Sequence, residues 1–140
     1  MKKTTVILAL LFGCLFSEAQ AQNTAPTIVA DPFANILTFK NDDYNFGRID
    51  LGKAVSYIIE ITNISRDTIT LVNAHAGCGC TTPNFTPTQK FGPGETVKVT
   101  IQFNGSVAGQ FTRFTDISFS NGLSKQTRFS GQGVPADQKN

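Results

Sequence analysis

Between residues 54 and 62 apolar and polar positions alternate one by one. Val55, Tyr57, Ile59 and Ile61 share one parity, and Ser56, Ile58 and Glu60 take the other. Side chains two apart lie on the same face of an extended chain, so this pattern predicts a strand with one buried face. The cleanest case is 96–103, where Val97, Val99, Ile101 and Phe103 alternate with Lys98, Thr100 and Gln102. A third runs over 110–119, with Phe111, Ile117 and Phe119 set against Thr112, Asp116 and Ser118. Phe114 falls on the polar parity there and is expected as an exposed aromatic. Shorter signals lie at Ile36–Phe39, at Ile69 and Leu71, and at Thr127–Phe129 continuing to Gly131. Over 44–49, Tyr44, Phe46 and Ile49 would face inward around a bend at Gly47, and Phe85 is expected to anchor in the core.

Turn chemistry separates these segments. Leu51-Gly52-Lys53, Asn63 to Asp67, Gly92-Pro93-Gly94-Glu95, Asn104-Gly105 and Asn121-Gly122 each combine residues that accept or impose turn conformations. For Asn121-Gly122 a hairpin is expected, since both residues tolerate positive φ. No segment carries sustained helical periodicity. Short strands at this spacing predict an all-β chain, an immunoglobulin-like β-sandwich of about seven strands with Greek-key connections.

The N-terminus reads as an export signal. Lys2 and Lys3 precede a short apolar run, Val6 to Phe16, and Ala19-Gln20-Ala21 presents the small residues a signal peptidase reads. Residues 1–21 are therefore expected to be a signal peptide. The run is too short to span a bilayer and no second one follows, so no transmembrane segment is expected. Leu11-Phe12-Gly13-Cys14 resembles a lipobox, which makes Cys14 a lipidation candidate. The expected location is periplasmic or secreted, with a lipid anchor through Cys14 as the alternative. Residues 22–34 are expected to form a flexible leader, 35–134 the sandwich domain, and 135–140 a polar tail.

Charge excludes partners. Loss of Lys2, Lys3 and Glu18 with the signal peptide takes the formal net charge from +2 to +1, and the remaining charges of both signs are interspersed. A nucleic-acid footprint is missing, as is a polybasic membrane patch. Nor is there a Gly-rich phosphate loop, a nucleophile elbow or a recognisable triad, so no enzyme and no cofactor is expected.

Of the three cysteines, Cys78 and Cys80 would survive cleavage, in Gly77-Cys78-Gly79-Cys80-Thr81. Their spacing rules out an inter-sheet disulfide of the antibody type. The chain has no tryptophan, so its 12 phenylalanines must supply the core. Four readings of the pair stand open. A local disulfide suits an oxidising compartment, but strand Cβ atoms two residues apart lie roughly 6–7 Å from each other. The bond needs about 3.5–4.5 Å, and Gly79 is read as the residue that lets the backbone pinch. In the second reading the thiols are free and packed as small hydrophobes. The third is a soft-metal site, in which Cys78, Cys80 and His75 would offer two thiolates and an imidazole to copper(I) or zinc. The fourth is thiol-disulfide exchange, for which the usual C-x-x-C spacing and helix N-terminus are missing. Asn63-Ile64-Ser65, Asn84-Phe85-Thr86 and Asn104-Gly105-Ser106 fit the glycosylation pattern and are read as turn residues.

The order of motifs resembles a known family. Tyr44-Asn45-Phe46-Gly47-Arg48-Ile49 with Gly52, Thr62-Asn63, Cys78-Gly79-Cys80-Thr81, Pro93-Gly94-Glu95, Phe103-Asn104, Gly109-Gln110-Phe111, Ser120-Asn121 and Gly131 follow one another over about Phe39 to Val134. Together they resemble the bacterial family catalogued as domain of unknown function 1573, related to the immunoglobulin-like domains of the ASPM, SPD-2 and Hydin group. The resemblance implies an exported sandwich module and brings no established activity. The expected function is a non-enzymatic binding or structural module of the cell envelope, contacting an unknown protein or glycan through loops or a sheet edge. A periplasmic soft-metal protein and a small thiol-disulfide exchange protein are the alternatives.

Overall fold

The three strongest alternating segments become inner strands of two sheets. The computed structural model describes residues 30–136. The expected signal peptide, Cys14, residues 22–29 of the expected leader and residues 137–140 of the tail lie outside them. The strands are β1 (Leu37–Lys40), β2 (Asp43–Asp50), β3 (Val55–Asn63), β4 (Ile69–Ala76), β5 (Thr81–Asn84), β6 (Gln89–Phe91), β7 (Thr96–Phe103), β8 (Gly109–Phe119) and β9 (Ser124–Val134). One sheet has the order β1-β3-β7-β5 and the other β2-β9-β8-β4-β6. All pairings are antiparallel except β2 with β9. From β1 to β8 each strand lies in the opposite sheet to its predecessor, and β8–β9 is the hairpin among the described residues. The architecture is the expected immunoglobulin-like sandwich.

Among the described residues nine strands replace the expected seven or so. The additional ones are β5 and β6, for which the residue pattern carried no strand expectation. Both are edge strands, where a proline without an N–H is tolerated because one side of the strand needs no donor. The hairpin also differs in detail. Gly122 alone of the pair takes positive φ, at 79°. Its N–H reaches Phe119 O at 3.1 Å, while the Asn121 carboxamide accepts from Leu123 N at 3.2 Å. That is a three-residue loop closed by a left-handed glycine.

The inward parity builds the core. Tyr57, Ile59 and Ile61 of β3 and Val97, Val99, Ile101 and Phe103 of β7 meet Ile69, Leu71, Phe111, Ile117, Phe119 and Phe129 of the other sheet, all buried. The aromatics divide into two groups. Tyr44, Phe46, Tyr57, Phe103, Phe111 and Phe129 interlock in one, and Phe33, Phe39, Phe91 and Phe119 in the other. Tyr44 stacks on Tyr57 at 4.6 Å between ring centroids. The Tyr57 hydroxyl is enclosed and has no hydrogen-bond partner among the described residues. Burial pushes its pKa well above the ordinary tyrosine value. Phe33 was expected in the flexible leader. It is instead 5% exposed, with its N–H bonded to the Asp31 carboxylate at 3.0 Å and Lys125 set 5.7 Å from its ring centroid. The packed unit therefore begins before residue 35, because an aromatic ring finds its place in the core.

Close backbone packing beside β9 depends on glycine. A Cβ placed on Gly133 would lie 2.0 Å from Val107 O. Gly133→Ala is expected to destabilise the fold by about 1–3 kcal/mol through overpacking. The check is the urea midpoint, and a change under about 0.5 kcal/mol would contradict it.

Candidate functional site

The Cys-Gly-Cys segment carries the chain across the sandwich, from β4 in one sheet to β5 in the other. A bulge in β4 sets its approach. Leu71 pairs with Phe119 but Asn73 pairs with Ser118, so β4 holds one extra residue there. The insertion swaps faces: Ile69 and Leu71 point inward before it and Ala74 after it, leaving Val72 44% exposed. His75 consequently stands exposed on the outer face, in register with Asp116.

Both ends of the loop are tied. Gly77 N donates to Phe114 O at 3.3 Å, and Cys80 O accepts from Asn104 N at 3.1 Å. Thr81 N reaches Cys78 O at 3.3 Å and closes a tight turn. Within that turn the Cys78 and Cys80 sulfurs are joined, with the Cα atoms 5.3 Å apart, inside the ordinary disulfide range. The pinch does not rest on Gly79. Its φ lies outside the left-handed region and a Cβ there would meet nothing within 4 Å. The turn itself brings the sulfurs together. Gly79→Ala is accordingly expected to keep the stability within about 0.5 kcal/mol and to leave no free thiol in unreduced protein. Urea unfolding and a thiol titration check it.

The two sulfurs face different surroundings. Cys80 packs against the hydrophobic core. Cys78 lines a shallow hollow of about 240 Å³ with Gly77, Thr112, Arg113 and Phe114. Phe114 is 44% exposed, as its parity required. Thr81, 5% exposed, holds its hydroxyl 3.6 Å from Cys78 Sγ and 3.8 Å from Cys80 Sγ. Sulfurs bonded to each other carry no hydrogen, so the hydroxyl is the only donor there.

Arg113 escaped sequence reading. It lies on the inward parity of β8, between buried Phe111 and Thr115, and a charge at such a position is the signal that would have found it. Its Nη1 donates to Thr112 O at 2.8 Å, its Nε is enclosed without a partner, and it has no ion pair among the described residues.

The metal candidates are not gathered. His75 is on the outer face, the two sulfurs are bonded to each other, and among the described residues no group of three His, Cys, Asp or Glu is placed to hold an ion. The sequon asparagines act as turn residues in two of three cases. The Asn63 and Asn104 carboxamides accept from Ser65 N and Ser106 N, at 2.9 and 3.1 Å.

The other surface feature is the sheet edge formed by β2. Arg128 of β9 clamps the start of this strand by donating Nε and Nη2 to the Asp43 carboxylate. These bonds hold the Asp43 carboxyl below the usual carboxylate range. Next to β2, a hollow of about 420 Å³ is lined by Asn45, Arg48, Gln110, Thr112, Ser130 and Gln132 among others.

A family model described as "Protein of unknown function (DUF1573)" matches residues 37–133. Among curated proteins none matches the chain. Among solved structures it is similar to the ASH / PapD-like domain of human CEP192 (PapD-like domain 7), with TM-score 0.58, 13% identity and coverage of 83% of this chain and 97% of that one. It is also similar to the VesB protease of Vibrio cholerae, with TM-score 0.59 and 17% identity over 70% of this chain and 32% of that one. A protein of unknown function from Porphyromonas gingivalis W83 gives TM-score 0.60 and 14% identity, over 69% and 46%. The chain thus spans about a third of the VesB chain and under half of the Porphyromonas one. At such identities the likeness carries the fold alone.

Proposed function

The chain belongs to the DUF1573 family of proteins of unknown function, and from that premise we propose that it is an exported, non-enzymatic module of the bacterial cell envelope. It binds a protein or glycan partner through a sheet edge and the adjoining loops. One observation carries this reading, the unequal length of the four edges. β1 and β5 have four residues each, β6 has three, and β5 also carries Pro83. β2 is eight residues long and, among the described residues, paired on one side only, to β9. An unpaired edge offers backbone donors and acceptors to a partner. The bulge between Asn45 and Arg48 breaks the edge into shorter runs, which discourages indiscriminate strand addition.

Export is supported by the signal-peptide pattern of residues 1–21 and by the joined cysteines, since disulfides persist in oxidising compartments. No helix among the described residues is long and apolar enough to cross a membrane. The location proposed is periplasmic or secreted, with lipid anchoring through Cys14 as the second form.

Two measurements test the proposal. Mass spectrometry of the protein purified from its own host should find Gln22 at the N-terminus, or a lipidated Cys14 if it is anchored. An unprocessed Met1 in the cytosol would overturn export. A photo-crosslinking residue at Asn45 should capture an envelope component that the same residue at Gln102, on the outer face of inner strand β7, does not. Absence of adducts all along β2 would overturn the edge-binding reading.

A further inference from the structure

We propose that Cys78 is a thiol-exchange site, at which a thiol-bearing molecule of the envelope opens the Cys78–Cys80 bond and is held as a mixed disulfide. The proposal goes beyond the edge-binding reading and does not depend on it.

Three features of one small region converge. The first is a difference in surroundings between two half-buried cysteines. Cys78 lines the open hollow with Phe114 and Thr112, whereas Cys80 packs against the core. Exchange requires a thiolate to reach a sulfur, so access selects which one is attacked. The second is charge. Arg113 lines the same hollow and has no ion pair among the described residues. Its side chain takes the inward parity, so the guanidinium acts as a nearby positive charge that raises the local concentration of anionic thiols, including those that also carry a carboxylate. The third is the leaving group. The Thr81 hydroxyl lies within reach of both sulfurs, 3.6 Å from Cys78 Sγ and 3.8 Å from Cys80 Sγ, so it can turn to Cys80 as negative charge develops there. The bond also spans only two residues of sequence separation, so it adds little to the fold's stability through loop closure and its opening costs the fold little.

The step balances without an outside oxidant. A thiolate RS⁻ attacks Cys78 Sγ, the RS–Cys78 bond forms, and the Cys78–Cys80 bond breaks. Its electron pair goes to Cys80, which takes the hydrogen bond from Thr81 and then a proton from solvent. Reversal regenerates the disulfide: Cys80 thiolate attacks Cys78 Sγ and expels RS⁻. The class of ligand is a thiol bearing a carboxylate, with an apolar part that can rest on Phe114.

Reduced glutathione is the probe. Oxidised protein is incubated with it, quenched in acid, and mapped by peptide mass spectrometry. The expected result is glutathione on Cys78 in about tenfold excess over Cys80, since access and nucleophile approach set the rate. In Cys80→Ser the remaining Cys78 should react with oxidised glutathione about tenfold faster than Cys80 does in Cys78→Ser. Arg113→Gln should slow the wild-type reaction several-fold at low salt, and the difference should shrink at high salt as the charge is screened. Equal labelling of the two sulfurs, preference for Cys80, or no mixed disulfide would each overturn the proposal. The wild-type mapping decides it even if a serine variant fails to fold, and the photo-crosslinking at β2 is unaffected by any of these outcomes.

Discussion

Replacing Phe129 by alanine will lower the stability of the oxidised protein by about 3–5 kcal/mol, the range for emptying a well-packed aromatic site. Phe129 has no exposed surface. Its ring stands 5.5 Å from that of Phe103, 5.8 Å from Phe46 and from Tyr57, and 6.3 Å from Phe111. These partners come from β2, β3, β7 and β8, so the ring joins both sheets, and a cavity there has rings on several sides that cannot all collapse inward. The urea midpoint of the purified variant gives the number. Phe114→Ala is the internal comparison, since its side chain faces out and its loss should stay within about 0.5 kcal/mol. Equal losses for the two would mean the aromatic core is not where the stability lies.

Asn63→Ala comes next, at about 2–4 kcal/mol. Asn63 is fully buried, and its carboxamide has used every donor and acceptor it owns. Nδ2 donates to Asp67 O at 2.8 Å and to Phe91 O at 3.0 Å. Oδ1 accepts from Ser65 N at 2.9 Å and from Ser65 Oγ at 2.7 Å. Alanine would take the Nδ2 donor from the carbonyl of buried Phe91 and release the Ser65 and Asp67 main chain that the carboxamide holds in the turn, so the desolvation at Phe91 is less well compensated. The main chain adds two more ties, Asn63 N to Glu95 O and Gly94 N to Asn63 O. One residue thus holds the turn after β3, the end of β6 and the Gly92–Glu95 turn in register. Asn63→Asp should be at least as damaging, because a carboxylate would face the Asp67 and Phe91 carbonyls with no hydrogen to give. A loss below about 1 kcal/mol for Asn63→Ala in urea unfolding would sink this account.

Asn63 also shows how far local chemistry can be read. An asparagine closing a strand before Ser65 predicts a side chain that caps its own turn, and it does. Its contact with Phe91, 28 positions on, was not legible, because nothing local to either residue encodes it. Cys78 and Cys80 divide the same way. Their spacing allowed a local bond, free thiols or a metal, and the structure joins them. That Cys78 faces a hollow with Arg113 while Cys80 faces the core depends on β8 lying beside the loop, which spacing does not contain.

By itself the sequence determined the burial parity of β3, β7 and β8, and with it the sandwich class. A period of two is a property of consecutive residues, and it states which face must leave water. It also placed Phe114 outside and the turns where asparagine, glycine and proline cluster. Only the tertiary structure decided the rest. β5 and β6 are strands because β7 and β4 offer edges to them, not because of their own propensity. Phe33 is core because Phe39, Phe119 and Lys125 surround it. The extra residue in β4 turns His75 outward, since one inserted residue reverses every face beyond it. Parity is written locally, but partnership is settled by which surfaces meet when the two sheets close.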